Sequence, residues 1–442
     1  MSDPVKLIEP RTLKGFRDYL PELMIPREWM LEQARRVYRS YGFAPIDTPA
    51  LEYAEILLGK GGEESDKQLY RFMHDRHDIA LRFDLTVPFA RFAAQYIGQL
   101  GTPFKRYHLG PVWRGENTQK GRNREFWQCD FDTIGTTSNA ADIEVALVIH
   151  DLMRGLNLDR FVIHVNNRLV LNGLLEELGL AGHTAHLLRA LDKLPKIGRD
   201  AVLAEMAEKT GLAGAQGERL LALAQTTGTN QEILARLQSD FGTNPKAAEG
   251  IRRLEELLAA VSKSGIPDGM IVLDLSIARG LDYYTGTVYE TFLTDMPKIG
   301  SVCSGGRYDN LAGLYTKQSL PGVGASLGLD RLLAALEELK LLKSTTTPAP
   351  VFIVQFSADR IGEYQRMARN LRAAGFGAEV FPDAKKIGQQ FQYAEKRGHK
   401  IGLIAGPDDF AAGTWNVKDL AKREEKKGVP EAEVVGLVKS LL

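Results

Sequence analysis

At every second position from Phe126 to Asp132 the chain sets an aromatic ring, an amide and two carboxylates: Phe126, Gln128, Asp130 and Asp132. The residues between and after them, Trp127, Cys129, Phe131 and Thr133, are mostly apolar, so an extended strand here turns one face to a core and presents the other as a polar row. Upstream, the run from Tyr107 to Trp113 reads as the partner arm of a β-hairpin, and the same period groups Val112, Arg114 and Glu116. Between the arms, Asn117 to Arg124 supplies Lys120, Arg122 and Arg124 around Gly121, a composition suited to gripping a polyphosphate that comes close to the backbone. An arginine beside a glutamate is also what an ordinary cross-strand salt bridge looks like on a solvated sheet. The basic loop tips the reading toward chemistry.

Four further segments carry polar residues at suggestive spacing. Leu81-Arg-Phe-Asp-Leu-Thr-Val-Pro88 places Asp84 and Thr86 two apart, where an extended backbone aims both at one pocket; a strand-end cap and turn is the plain alternative. Ala278-Arg-Gly-Leu-Asp-Tyr-Tyr-Thr-Gly286 sets Arg279 ahead of Tyr283 and Tyr284, which suits a carboxylate or phosphate beside hydroxyl-bearing rings, or simply a loop with a cation–π contact. Ser304-Gly-Gly-Arg-Tyr-Asp309 reads as a glycine turn that lets the backbone approach a ligand, with Arg307 alongside, or as an ordinary turn. Gly322 to Leu333 is a small-residue strand running into a helix over 329–339. Arg331 then falls in a first helical turn, where the positive dipole end favours phosphate and disfavours a cation that has no ligand or salt bridge. There is no Walker loop, nucleophile elbow or dinucleotide fingerprint. Five arginines on glycine-flanked or strand positions (Arg114, Arg122, Arg279, Arg307, Arg331) and no obvious nucleophile point to phosphoryl-type chemistry run by positioning and charge neutralisation.

The elements that must position these groups come from a chain of 442 residues, 44% apolar and 25% charged, enough for two or three domains with large cores. The spacing of Met30, Ala34, Val37 and Tyr41 predicts a helix from Pro26 to Tyr41, ended by Gly42. Strand-like stretches follow at Ala80 to Phe83 and Phe104 to His108, and a buried helix at Ala140 to Met153 with Gly155 just past its end. From about Val165 to Ser264 the texture turns Leu/Ala-rich and helical, as in Leu169 to Leu178, Ala201 to Thr210 and Ala247 to Val261. Strand character returns at Met270 to Leu275, Thr287 to Phe292 and Ser301 to Ser304, so one sheet is expected to be split by a helical insert. Lys343 to Pro350 is a linker by composition, and beyond it the pattern is β-α-β-α-β. The expected division is core at 1–164, helical insertion at 165–265, core at 266–342, linker at 343–349 and a small α/β domain at 350–442.

Formal net charge is zero, so an anionic partner must be met by local patches. The last domain has 15 Lys/Arg against 12 Asp/Glu, with Lys385, Lys386, Lys396, Arg397 and Lys400 as its basic cluster. Two widely separated cysteines, Cys129 and Cys303, argue for a reducing compartment and against a disulfide framework or zinc cluster. His74 and His77 have ligand-like spacing but read as exposed loop residues. The start Met-Ser-Asp-Pro has no basic flank or apolar run, and no apolar stretch reaches spanning length, so cytoplasm is the expected location and no membrane the expectation.

Taken together these segments resemble the class II aminoacyl-tRNA synthetases, and within them the histidyl-tRNA synthetase family. The hairpin with Arg114 is similar to motif 2, Gly322 to Leu333 with Arg331 to motif 3, and Phe43-Ala-Pro-Ile-Asp-Thr-Pro-Ala-Leu51 with Pro49 to motif 1, the dimer-forming element. Arg279-Gly-Leu-Asp-Tyr-Tyr-Thr-Gly286 and Gly305-Gly-Arg-Tyr-Asp309 resemble the two histidine-specific signatures. Asp84-Leu-Thr86 is similar to one branch of the family, the other carrying glutamate at the first position. The resemblance implies an α+β chain: an antiparallel-sheet catalytic core with a helical insertion, then a C-terminal α/β anticodon-binding domain. It implies a homodimer that takes histidine, ATP with Mg2+ and tRNA(His), with no zinc. By motif, Arg114 would hold the ATP α-phosphate, Glu116 the adenine edge and Arg122 the terminal phosphates, while Phe126 and Arg331 would sandwich adenine. Asp84, Thr86 and Gln128 would take the substrate amine, Asp132 and Tyr284 its imidazole with Tyr283 beside them, and Arg279 would bridge carboxylate and α-phosphate. Catalysis would rest on Arg279 and Arg114, also contacts of the histidine substrate; metal ligands are not assigned. Two rivals are a non-catalytic, histidine-binding regulatory subunit of ATP phosphoribosyltransferase and a class II synthetase for threonine or proline. The anticodon-like domain and Arg279 segment speak against the first, the double tyrosine against the second.

Overall fold

The computed structural model describes residues 7–59, 66–212, 214–277, 283–342 and 345–442. It divides into two compact units, Met1–Asp18 with Met30–Leu341 and Tyr19–Trp29 with Leu342–Leu442. Along the first unit run strands β1 (Ala44–Pro45), β2 (Leu51–Tyr53), β3 (Arg71–His74), β4 (His77–Leu81), β5 (Phe104–Trp113), β6 (Glu125–Ile134), β7 (Phe161–Asn167), β8 (Ile271–Leu273), β9 (Thr287–Leu293), β10 (Cys303–Tyr308) and β11 (Gly322–Gly328). Eight of them form one sheet in the order β1-β5-β6-β11-β10-β9-β7-β8, antiparallel throughout its centre, with parallel pairs only at β1–β5 and β7–β8. This is the α+β architecture the sequence led us to expect.

Register decides what each face of the sheet carries, because directly opposed residues of neighbouring strands share a side. One face reads Arg106–Asp132–Gly324–Gly306–Val288–Asn166 across the strands, then His108–Asp130–Ser326–Ser304–Glu290–His164 one step along, then Gly110–Gln128–Gly328. The other face carries Cys129, Phe131, Val323, Ala325 and Leu327, all buried. Helices α1 (Pro21–Ser40) and α3 (Asn139–Gly155) supply the partners of that apolar face: Tyr38 donates to the Cys129 carbonyl and stacks near Phe131, and Tyr289 donates to the Asp142 carbonyl. Helix α2 (Thr86–Leu100) begins at the polar face, where the Arg106 guanidinium lies over the Phe89 ring at 4.4 Å. A fourth helix, α4 (Leu329–Glu338), continues directly from β11.

Several elements differ from their sequence reading. Helix α1 starts at Pro21, with Pro26 inside it, and ends at Ser40. The burial of Met30, Ala34 and Val37 holds the helix through the one backbone donor that Pro26 lacks, while Tyr41 falls beyond its end. Helix α3 runs through Gly155, and Asn157 takes the positive φ expected of a glycine there. The segment read as a glycine turn, Ser304 to Asp309, is mostly strand β10. Its glycines are set by crowding, since a Cβ on Gly305 would lie 2.1 Å from the Gly324 carbonyl oxygen. His74 and His77 face each other across the β3–β4 hairpin, which joins β2 in a separate small sheet. Between β7 and β8 the chain is helical, the longest helix being Pro245–Lys263.

In the second unit, β12 (Val351–Ile353), β13 (Ala378–Val380) and β14 (Ile401–Ile404) pair in parallel, with helices Ile361–Ala373 and Ile387–Arg397 as their crossovers. An antiparallel extension, β15 (Thr414–Asp419) and β16 (Glu424–Pro430), and a final helix Glu431–Leu441 complete it, giving the order β13-β12-β14-β15-β16. Trp415, Tyr364, Val434 and Val438 are fully buried in its core. Among the described residues no helix is long and apolar enough to cross a membrane.

Candidate active site

The polar row on β6 is where the site begins. Asp132 is 2% exposed, accepts from the Tyr308 hydroxyl at 2.6 Å and lies 2.7 Å from the guanidinium of fully buried Arg106. Tyr308 reaches it by lying across Gly322, where a Cβ would stand 2.3 Å from the ring. The neighbouring floor is also stripped of side chains: a Cβ on Gly324 would meet the Asp132 carboxylate at 2.2 Å, and one on Gly306 would meet the Tyr284 ring at 3.0 Å. Small residues thus let Asp132, Tyr308 and Tyr284 lie close against the middle of the sheet, which brings a carboxylate and phenols together over a shallow glycine floor. Burial raises the Asp132 carboxyl above its ordinary range, and the Arg106 charge and the Tyr308 hydroxyl oppose the rise.

Two residues along, Asp130 is equally buried, and burial lifts its carboxyl to about 7. One of its oxygens has no hydrogen-bond partner, nor has the amide oxygen of Gln128, whose nitrogen donates to Ser326 at 2.9 Å. Buried acceptors left without donors on one strand face are costly unless something that donates binds there. Above them, Asp84 and Thr86 flank the start of α2. The backbone is helical at Leu85 instead of extended, and Asp84 accepts from the Val87 amide at 3.0 Å, so the capping alternative holds. The pair still meets at one place: Tyr283 donates to Asp84 at 3.2 Å, and Thr86 donates to Asp130 at 3.5 Å. Burial likewise pushes the Asp84 carboxyl up. Tyr283 and Tyr284 pack edge to face at 5.1 Å, and Arg168 fixes Tyr284 by donating to its carbonyl at 2.8 Å.

Beyond this floor lie the residues of the hairpin. The Arg114 guanidinium sits over the Phe126 ring at 5.1 Å and donates to the Phe83 carbonyl at 2.9 Å. Arg122 faces Glu116 across the loop at 3.8 Å. Gly121, at φ +70°, lets the loop tip lie against the first turn of α4, with room for a Cβ only 3.4 Å from the Arg331 Cα. Asp330 accepts from the Trp127 amide at 2.6 Å and so ties that turn to β6, while Arg331 donates to the Ser301 carbonyl at 2.5 Å. Arg114, Glu116, Arg122, Phe126 and Arg331 therefore belong to one neighbourhood at the hairpin end of the polar face.

Arg307 does not join them. Alternation in β10 sends it to the opposite face, where it forms a buried ion pair with Asp142 of α3 and donates to Asp309 at 3.0 Å and the Thr136 carbonyl at 3.0 Å. Its role is to fasten sheet to helix. Arg279 lies outside the described residues.

Residues 15–332 match the histidyl-tRNA synthetase family, and residues 350–441 match the anticodon binding domain. A histidine–tRNA ligase of Rhodopirellula baltica is 56% identical over 421 residues, which is 95% of this chain and 95% of that protein. The chain belongs to the histidyl-tRNA synthetase family. The crystal structure of histidyl-tRNA synthetase from Nostoc sp. PCC 7120 matches with a TM-score of 0.89 at 34% identity, over 99% of this chain and 100% of that one. A Bacillus halodurans C structure described as an ATP phosphoribosyltransferase regulatory subunit/histidyl-tRNA synthetase shares the fold, with a TM-score of 0.75 at 23% identity over 91% of this chain and 100% of that one.

The activity is accordingly that of a class II histidine–tRNA ligase: histidine is activated with ATP to the adenylate, then transferred to tRNA. Within a histidyl-tRNA synthetase core, sequence reasoning overlooked Arg106, Tyr308 and Arg168. Arg106 had a detectable signal, because the β5 strand continued backward from Val112 in steps of two passes Gly110 and His108 and reaches an arginine opposite Asp132.

Proposed function

We propose that the glycine-floored basin holds the histidine substrate and the hairpin end holds ATP. In this reading Asp132 and Tyr284 pair with the imidazole N–H groups, with Tyr283 beside them, and Asp84, Thr86 and Gln128 take the α-amine. Phe126 and Arg331 face the two sides of adenine, Glu116 its edge and Arg122 the terminal phosphates. Arg114 shields the α-phosphate, which requires its guanidinium to leave the Phe126 ring for the phosphate. Arg279 bridges the α-phosphate and the histidine carboxylate. The carboxylate then attacks the α-phosphorus in line, pyrophosphate leaves, and the terminal ribose hydroxyl of tRNA(His) takes the acyl group from the adenylate. No nucleophilic side chain enters: the chain's contribution is to align the reactants and to meet developing negative charge with fixed guanidinium groups. Histidine is distinguished because Asp132 stays unpaired toward any side chain that offers it no N–H.

The observation that carries this reading is the pair of orphaned buried acceptors, Gln128 Oε1 and Asp130 Oδ1, beside the three glycines, Gly306, Gly322 and Gly324, over which Tyr284, Tyr308 and Asp132 lie. Among the described residues no group of three His, Cys, Asp or Glu gathers as a metal cage. Mg2+ would be held by the phosphates of the incoming nucleotide, whose charge it would shield. Leu51, Tyr53 and Phe72 stand exposed on one face of the small sheet that follows the Pro49 segment, an apolar surface suited to a second copy of this chain in a cytoplasmic homodimer. The division into core, helical insertion at 165–265 and anticodon-binding domain at 350–442 belongs to the same proposal. A crystal soaked with histidine and a non-hydrolysable ATP analogue tests the site. The expected density places imidazole on Asp132 and adenine on Phe126; ligand density on any other face of the sheet overturns the assignment.

A further inference from the structure

Asp130 has no part in the roles above, yet it lies between them. It is one step of the strand period from Gln128 and one from Asp132, on the same face, and 1% exposed. Across the ladders it is flanked by His108 on β5 and Ser326 on β11. Arg106, the nearest guanidinium, is committed to Asp132 at 2.7 Å and stands 3.8 Å from Asp130. Thr86 donates to one oxygen of Asp130 and the Ser326 hydroxyl also favours the carboxylate, while Oδ1 makes no direct hydrogen bond of good geometry. His108 cannot supply a charge, since burial and the adjacent arginines hold it far down, near 2, and it faces Asp47 at 2.9 Å.

We propose that Asp130 also accepts from the α-ammonium of the substrate, so that Asp84, Gln128 and Asp130 form the three-oxygen seat that a tetrahedral –NH3+ group requires and Thr86 acts at the amine through Asp130. The inference rests on the proposed placement of histidine. An ammonium offers three donors, and the amine end of the basin offers three buried acceptor groups: the Asp84 carboxylate, the Gln128 amide oxygen and the free Asp130 oxygen. Thr86 is the link between them, because its hydroxyl, engaged on Asp130, sets that carboxylate beside the start of α2. Arriving charge settles the site: the ammonium lowers the cost of an ionised Asp130, which burial otherwise pushes toward its protonated form. The consequence is selectivity for an amine, independent of the imidazole contacts.

Calorimetric binding of three compounds to the full-length chain tests this: histidine, histidinol, which keeps ring and ammonium, and imidazolepropionate, which keeps ring and carboxylate but has no amine. Asp130→Asn should weaken histidine and histidinol by roughly 10- to 100-fold, the effect of one charged hydrogen bond, and leave imidazolepropionate within about twofold. Equal weakening of all three, or of none, overturns the inference. Asp84→Asn is the control for the underlying reading. If it discriminates by amine and Asp130→Asn does not, only the role of Asp130 fails; if neither discriminates, the amine subsite itself is misplaced. Asp130→Ser, checked with Asp130→Asn by thermal melting, gives a second folded variant for the same comparison.

Discussion

Replacing Asp132 by asparagine separates binding from scaffolding, and the structure sets the size of both effects. The side chain has two engagements: it accepts from Tyr308 at 2.6 Å and lies 2.7 Å from Arg106, both partners essentially without solvent. Asparagine keeps an oxygen for Tyr308 but turns an NH2 toward a guanidinium. Losing one partner of a buried ion pair costs about 3–5 kcal/mol. Here Asp130, 3.8 Å from Arg106, remains as a second carboxylate, so the loss should fall below that range, near 2 kcal/mol, or a few degrees of melting temperature. For the substrate, removal of a charged acceptor from an imidazole N–H should raise KM for histidine on the order of 10- to 100-fold. KM for ATP should stay within about twofold, since no contact joins Asp132 to the Arg114–Phe126 end. ATP–pyrophosphate exchange with each substrate titrated in turn reads both constants. A lowered melting temperature with an unchanged histidine KM would reduce Asp132 to a partner of Arg106; parallel rises for histidine and ATP would mean that the whole sheet face had shifted.

Arg307→Met should do the reverse of Asp132→Asn: it strands Asp142 without its charge partner on the far face, costing roughly 3–5 kcal/mol in denaturant unfolding, while KM for histidine and ATP in the folded protein stays within about twofold. A selective loss of histidine binding would return Arg307 to the site. Arg279→Ala should depress the exchange turnover by about 100-fold or more with little change in histidine affinity, because its role is placed between carboxylate and α-phosphate; equal losses in both would make it a binding residue only. The Asp130 carboxyl, raised from 3.8 to about 7, contributes stability that is complete below pH 4 and is lost as pH rises through 7. Asp130→Asn, which stays neutral, should therefore gain on the parent by roughly 2–3 kcal/mol between pH 5 and pH 8 in unliganded protein. Chemical denaturation at the two pH values measures this, and a gap that does not move with pH contradicts a raised carboxyl.

The β6 row was legible in the sequence because seven residues of strict alternation leave one strand geometry and one assignment of faces. The same logic was available for Arg307 and went unused. Two adjacent glycines look like a turn, yet here Gly305 and Gly306 are glycine because neighbouring backbone and Tyr284 come within Cβ distance, and a strand through them sends the arginine to the back. Asp84 and Thr86 illustrate the limit of spacing: two residues apart they share a side in a strand, and at a helix start they meet only because Tyr283 and Asp130 arrive from elsewhere in the chain. Strands β15 and β16 escaped notice for a different reason. Glu424 to Lys427 are all exposed, so no apolar period marks them, and the pairing rests on Trp415, Val417 and Val429 facing a core contributed by other elements.

Arg106 shows why the centre of the site is the least readable part of such a chain. An arginine in a strand is ordinary at a surface, and the period of β5 gives only the face that this one shares with Asp132, not its burial. Its meaning depends on the length of the hairpin loop, which fixes the register Arg106 opposite Asp132, and on Leu85 and Phe89, which close over it from α2. The buried guanidinium opposes the rise that burial imposes on the Asp132 and Asp130 carboxyls, and its removal would leave two adjacent carboxyls without that opposing charge. The register of the hairpin thus sets which charges stand beside the groups proposed to clasp the imidazole.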